Sequence, residues 1–346
     1  MSLVVKSYTS WQPLEEVIVG RVHTPEYFDF IENPQVRAQM QQLLYEANED
    51  LDNLQRVIEQ YGATVRRPEL PNLEEFLRHQ QGGVWAPIPP LTPRDWQITL
   101  GEKLLRVLHV DEMDSIINEY ETQQPGVVIN PHGSGYDENH VMVDAVASCI
   151  VRVGEDVFFD RSDWMKPEHV EWIQHNVLDS RYRVRQAITQ GHGDAVFAIL
   201  KPGVILSSMH DGDINYAEEF PGWEVHRIWD PSIWAAMEVG KFKYENFNGR
   251  WYVPGVQPND EFTSFVDTYL NKWTGFVQET VFDVNCLVLD EHNVIFSSYN
   301  REVFEFCRQH HIEPIVCEQR HKYFFDSGIS CCTQDIRRRG NLENYF

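Results

Sequence analysis

Four stretches of this chain repeat one pattern, and the repetition restricts the possible folds more than any single motif does. ITLGEKLLRV (98–107), IVRVGEDVFF (150–159), AVFAILKPGVILSS (195–208) and CLVLDEHNVIFSS (286–298) each place apolar runs on both sides of a tight polar turn. Their Gly-Glu, Pro-Gly and Asp-Glu centres are hairpin turn chemistry. The segments after the hairpins repeat as well. KPEHVEWIQHNVL (166–178) has apolar residues at helical spacing with Pro near its start, and YRVRQAI after it reads as a strand. NREVFEFCRQH (300–310) and EPIVCEQ repeat that order, and DSIINEY followed by GVVIN does so after the first hairpin. After the third, Asp213–Phe220 reads as a helical turn before WEVHRI. Near the start, EEVIVG leads into a long helical stretch, roughly Val36–Tyr61, with Gly62 as its C-cap and ATVRRP as the next strand.

A ββαβ unit therefore recurs about five times in a mixed α/β chain. A unit this small cannot bury its apolar face alone. Two arrangements answer that need: radial closure around an axis, with polar loops converging on a central cavity, or an open α/β sandwich of mixed strands. The Pro-rich Leu70–Thr92 stretch reads as a long loop. Trp229–Pro258, rich in Trp, Tyr, Asn and Gly, reads as an insertion or lid rather than a second domain. The expected organisation is one domain over residues 1–346.

Hydrophobic residues make up 42% and aromatics 12% of the 346 residues, enough for a sizeable core and too much for disorder. The formal charge is −24, from 29 basic and 53 acidic residues. Such a field serves solubility, repels nucleic acid and anionic lipid, and favours cationic small molecules. No apolar run approaches the roughly 18 residues of a membrane helix, and MSLVVKSYTSWQP lacks a signal-peptide core. Six cysteines in a chain of this length make no dense disulfide framework. The expectation is a cytoplasmic, thiol-reduced protein with neither nucleic-acid nor membrane partners.

The closing stretch DSGISCCTQDIRRRGNLENYF places Cys331 and Cys332 a few residues before three arginines at 337 to 339. Zinc is disfavoured, because no second CxxC or HxxxH partner stands nearby. A buried inert thiol is the plain alternative. Positive charge beside a thiol raises its thiolate fraction, which a nucleophile requires. In ITQGHGDAVFAIL, His192 lies between glycines with Asp194 two residues on. In an extended segment both would face one side. Asp95 in TPRDWQITLG and Asp144 in VMVDAVASCIVRVG lead into successive hairpins, and each alone suits an ordinary turn. If the units close radially, Asp95, Asp144, His192, Asp194 and Cys331 meet near the axis. Three carboxylates around a Cys–His pair favour a planar cation with several donors, and a guanidinium fits.

These residues stand in segments that resemble the glycine amidinotransferase family, within the wider guanidino-group-modifying superfamily. SWQPLEEVIVGR, GATVRRPE, TPRDWQITLG, RVGEDVFF, HGDAVFAILKPGVILS and CCTQDIRRRGNLENYF carry the resemblance, which is weakest over about 108–140 and 225–280. It implies a five-fold pseudosymmetric α/β propeller built from ββαβ repeats around a central active-site cavity. It also implies a cofactor-free, metal-free ping-pong reaction. An amidino group would move from a guanidino donor, arginine or an arginine-like compound, to an amine acceptor, glycine or another amine. The resemblance puts the nucleophile on Cys331, the acid/base histidine on His192 and the guanidinium-binding aspartates on Asp95 and Asp194. The carboxylate that orients the histidine falls on Asp144, which needs a local bulge because the run to RVGED is two residues longer than in the family pattern.

Three positions depart from that pattern. LSSMHD puts Asp211 where arginine-using members carry a carboxylate-binding Arg in a segment similar to LSNPDR. Asp283 stands for a polar Ser near the donor site, and Ser330 for a His before the nucleophile. An acid at 211 suits an amine better than an α-carboxylate, so the implied donor or acceptor includes a diamine or another cationic amine. The implied partners are small molecules, with room for a homodimer. Two alternatives use the same residues: a deiminase- or dihydrolase-type hydrolase, and a degenerate guanidine-binding protein.

Overall fold

The structure is a computed structural model. It describes residues 3–81, 86–131, 145–160, 164–187, 192–208, 214–228, 251, 253, 255–257, 259–270, 274 and 284–346. Strands gather into five three-stranded sheets of one design. In the second sheet, β3 (Gln97–Leu100) pairs antiparallel with β4 (Lys103–Arg106), which pairs parallel with β5 (Val128–Ile129). The third repeats this with β6 (Ile150–Val153), β7 (Asp156–Asp160) and β8 (Arg183–Ala187). The fourth does so with β9 (Phe197–Lys201), β10 (Val204–Ser207) and β11 (Glu224–Arg227). The fifth has β12 (Leu287–Asp290), β13 (Asn293–Phe296) and β14 (Glu313–Val316). This is the radial alternative: a five-fold pseudosymmetric, propeller-like α/β fold of ββαβ units.

The first sheet closes the ring. Its middle strand is β1 (Leu14–Val19) and its outer strand is β2 (Thr64–Arg66), paired in parallel. Its inner strand comes from the opposite end of the chain: β15 (Thr333–Arg338) pairs antiparallel with β1. Two of the three arginines, Arg337 and Arg338, thus belong to this inner strand. Arg337 pairs with Glu15 at 3.0 Å, and Arg338 is fully buried.

Apolar side chains collect between neighbouring sheets, as the pattern of short apolar strands requires. One cluster joins Ile98 and Leu105 to Ile150 and Val157, and another joins Ile199 and Ile205 to Val288 and Val294. The largest lies under the helix Pro34–Gln60, whose Val36, Met40, Leu43, Leu44, Leu51, Leu54 and Ile58 recur at three- and four-residue spacing. That helix starts two residues before the expected Val36, because the Asn33 side chain accepts from the backbone N–H groups of Gln35 and Val36. Such a cap contributes about 1 kcal/mol. Gly62, at φ +89°, follows the helix end as expected.

Two local expectations fail. Leu70–Thr92 is not a loop throughout, because Leu73–Gln81 is helical. Asn72 caps it by accepting from Glu74 and Glu75, and Phe76 is buried against Tyr27 and Phe28. The prolines around the segment hide a short amphipathic pattern. The stretch at Asp194 is not extended either: Gly193–Val196 is a single helical turn with His192 at its N-cap position. Trp229–Pro258 falls largely outside the described residues.

Buried charge stitches the axis. Asp335 on β15 accepts two hydrogen bonds from Arg152 on β6, at 2.9 and 2.8 Å, and one from Arg338 at 2.9 Å. Arg94, in the helical turn Pro93–Trp96 before β3, approaches the same carboxylate at 3.1 Å. Burial alone would raise the Asp335 pKa, but Arg152, Arg338 and Arg94 hold it well below the usual carboxylate range. Residues from three sheets thereby fix one another's position.

Candidate active site

Each of the five inner strands is entered through a short turn, and the chemistry-bearing side chains sit at one recurring place. Asp95 precedes β3, Ser148 precedes β6, Asp194 precedes β9, Asn285 precedes β12 and Cys331 precedes β15, each by two or three residues. The turns of the second, third and fourth sheets touch in sequence around the axis, and the Pro93–Trp96 turn also meets β15. Pseudosymmetry therefore converts residues far apart in the chain into one ring of side chains.

Contacts within the ring are specific. The Ser330 hydroxyl donates to Asp194 Oδ2 at 2.7 Å, which brings the Cys331 turn against the His192–Asp194 turn. His192 Nδ1 lies 3.5 Å from Asp95 Oδ1, and the Ser148 hydroxyl donates to that same oxygen at 2.8 Å. Each of the two aspartates therefore has one oxygen engaged by a serine. Asp194 Oδ1 is buried and has no hydrogen-bond partner among the described residues. Burial raises the Asp194 pKa, with Asp95 adding to it, while Arg94, His192 and the Ser330 hydrogen bond act against the rise. A cavity of about 60 Å³ has Arg94, Asp194, Ser330 and Arg338 in its wall.

The vicinal cysteines have separate surroundings. Cys331 is buried at 1% exposure, and the Asn285 side-chain amide donates to its sulfur at 2.9 Å. Cys332 faces Ser327 at 3.0 Å and Gln319 at 3.9 Å, and burial pushes its thiol up to about 11. Neither forms a disulfide. Two adjacent thiols held by different partners do not make a shared metal clip.

No family model matches the chain. Curated relatives do. An L-arginine:L-lysine amidinotransferase from Pseudomonas savastanoi pv. phaseolicola is 24% identical over 99% of this chain and 96% of its own length. A mitochondrial glycine amidinotransferase from Xenopus tropicalis is 22% identical over 99% of this chain and 85% of its own. Over nearly its whole length the chain is similar to these amidinotransferases. Among solved structures, the inosamine-phosphate amidinotransferase of Streptomyces griseus superposes over 100% of this chain and 99% of its own, with TM-score 0.68 and 18% identity. Dimethylarginine dimethylaminohydrolase from Pseudomonas aeruginosa shares the fold more distantly, with TM-score 0.54 and 13% identity over 93% of this chain and 99% of its own.

Of the site residues expected from the sequence, the structure sets His192 beside Asp95 and joins Ser330 to Asp194, with Cys331 next to Ser330 in the chain. Asp144, Asp211 and Asp283 lie outside the described residues. Ser148 and Asn285 escaped the sequence reading. Their signal was positional: each stands two residues before the first strand of its repeat, as Asp95 does. No described helix is long and apolar enough to cross a membrane.

Proposed function

We propose that this protein transfers an amidino group from arginine or an arginine-like guanidine to an amine through a covalent amidino-cysteine at Cys331. The observation that carries the reading is the pair of serine-anchored carboxylates beside the Cys331 turn. Ser148 and Ser330 occupy one oxygen of Asp95 and one of Asp194, and Asp194 Oδ1 stays buried without a partner among the described residues. Leaving such an acceptor unsatisfied costs about 1–3 kcal/mol. A guanidinium supplies the missing donors and a matching positive charge. The chain's charge of −24 favours a cationic substrate in the same direction.

The reaction then proceeds in two halves. The Cys331 thiolate attacks the central guanidinium carbon while Asp95 and Asp194 hold its N–H groups. The carbon–nitrogen bond to the leaving amine breaks, and His192 gives that nitrogen its proton. An amidino-thioether remains on Cys331. The acceptor amine attacks the same carbon, His192 takes up its proton, and the carbon–sulfur bond breaks to return the thiolate. Positioned proton transfer of this kind contributes about 10²–10⁴-fold. In this scheme Asp95 serves twice, since its oxygen also faces His192 Nδ1. Asp144 as the histidine's orienting carboxylate, and Asp211 and Asp283 as determinants favouring a cationic amine over an α-carboxylate, complete the proposal.

Intact-protein mass spectrometry after mixing with arginine and related guanidines tests it. An added amidino group that is absent from Cys331→Ala identifies donor and nucleophile together. Release of ornithine with a new guanidino compound marks transfer. Citrulline or urea with ammonia would mark hydrolysis, the reading that the shared fold with a dimethylaminohydrolase keeps in view. Absence of any adduct or product with every guanidine tried would overturn both.

A further inference from the structure

One residue holds the Cys331 turn from several sides. Asn285 is 4% exposed and lies two residues before β12. Its backbone carbonyl accepts from the Ile329 N–H at 3.2 Å. Its side-chain Oδ1 accepts from the Cys331 N–H at 3.1 Å, and its Nδ2 donates to Cys331 Sγ at 2.9 Å. The same side chain packs on Gly328 so closely that a Cβ there would come within 2.4 Å of it. A glycine before the cysteine turn thus lets the amide approach.

Chemistry dictates the orientation of the amide. A backbone N–H can only donate, so the amide oxygen must face Cys331 N, and the NH₂ group is what remains for the sulfur. A thiolate can only accept, and a hydrogen bond to the charged form favours that form. The amide is neutral and does not titrate, so the donor stays in place across the working pH range.

We propose that Asn285 is the positioning residue for the reacting sulfur, gripping Cys331 by main chain and side chain at once and donating to its thiolate. The inference rests on the reading of Cys331 as the nucleophile. When the thioether forms, sulfur loses its charge and the bond from Nδ2 weakens. When the acceptor displaces sulfur, the thiolate departs toward a waiting donor. Asn285 therefore assists the second half-reaction more than the first.

Asn285→Asp isolates the effect. It keeps the shape and the acceptor for the Cys331 N–H but replaces the donor to sulfur with a carboxylate oxygen. The groups across the site, Asp194 held to Ser330 and His192 beside Asp95, are the same in both proteins. The measurement is the pH dependence of iodoacetamide alkylation at Cys331 in the full-length protein, read by peptide mass spectrometry, with thermal melts confirming the fold. The midpoint should rise by about one pH unit or more in Asn285→Asp, and by less in Asn285→Ala. With a working donor, decay of the amidino-enzyme on adding acceptor should slow more than its formation. If Asn285→Asp does not melt cooperatively, Asn285→Ala carries the same test. A midpoint unmoved in the folded variants overturns the role of Asn285, whatever the substrates prove to be. A shifted midpoint in a protein that never takes up an amidino group supports Asn285 and rejects the reaction instead.

Discussion

Ser330 and Asp194 are joined by a 2.7 Å hydrogen bond that ties the turn before the last strand to the turn before β9. The bond acts on the carboxylate twice. It fixes Oδ2, which leaves Oδ1 as the oxygen without a partner among the described residues, and it counters part of the rise in pKa that burial imposes. Ser330→Ala should therefore raise the Asp194 pKa further. Donor KM should increase several-fold, and the acid limb of kcat/KM for the donor should move to higher pH. A pH–rate profile checks this; an acid limb that stays in place would separate Asp194 from donor binding.

The same burial makes Asp194 a stability liability. A carboxyl whose folded pKa is raised contributes stability below the ordinary carboxylate value, and that contribution is lost as pH rises through the folded value. As pH rises above the ordinary carboxylate value, burial of this group opposes folding. Asn at 194 keeps the acceptor for Ser330 and removes the charge. Asp194→Asn should abolish donor turnover yet unfold later than the parent at pH 7, by on the order of 1 kcal/mol. The gap should close as pH falls below about 4, where the unfolded carboxyl is protonated. Denaturant titrations at pH 7 and pH 4 measure both halves; a variant less stable at pH 7 would mean the charge is compensated.

Adjacent cysteines with different neighbours predict different phenotypes. Cys331→Ala should remove turnover and keep the fold with a modest loss of stability, because Asn285 Nδ2 loses its acceptor while the Asn285 carbonyl oxygens keep their contacts with the backbone N–H groups of Ile329 and Cys331. Cys332 lies on the other side, among Ser327, Gln319 and Leu91, with its thiol raised to about 11. Cys332→Ala should retain substantial activity and lose modest stability from the small cavity left behind. Assay and melt of both variants suffice. Activity that vanishes in Cys332→Ala and survives in Cys331→Ala would reverse the assignment.

The repeat was legible because hairpins are local. Apolar runs around Gly-Glu, Pro-Gly and Asp-Glu turns mark β3–β4, β6–β7, β9–β10 and β12–β13 directly. Closure of the first sheet was not, since β15 reaches β1 across more than three hundred residues, and no local pattern records a pairing of that range. Within the site, Asp95, His192, Asp194 and Cys331 stood out as residue types that do chemistry. Ser148 and Asn285 did not, because their roles come only from what the fold sets beside them. The short helix Leu73–Gln81 was masked by neighbouring prolines, and the turn at Asp194 by the expectation that a residue just before a strand is already extended.

Asp335 carries the most testable claim about the axis. Three guanidinium groups converge on its buried carboxylate, from Arg94, Arg152 and Arg338. Removing the shared anion leaves three cations near one another away from water, and breaking a buried pair costs about 3–5 kcal/mol. Asp335→Ala should lower the denaturant midpoint accordingly, far beyond an ordinary surface substitution. Because the folded pKa is depressed, Asp335 contributes stability above the ordinary carboxylate value and loses it as pH falls below about 4. The parent should therefore lose more stability than Asp335→Ala between pH 5 and pH 3. Adding Arg338→Met to Asp335→Ala removes one stranded cation and should recover part of the loss. Chemical denaturation of the single and double variants across that pH range decides the matter: a single variant that tracks the parent at every pH would show that the arginines find other partners.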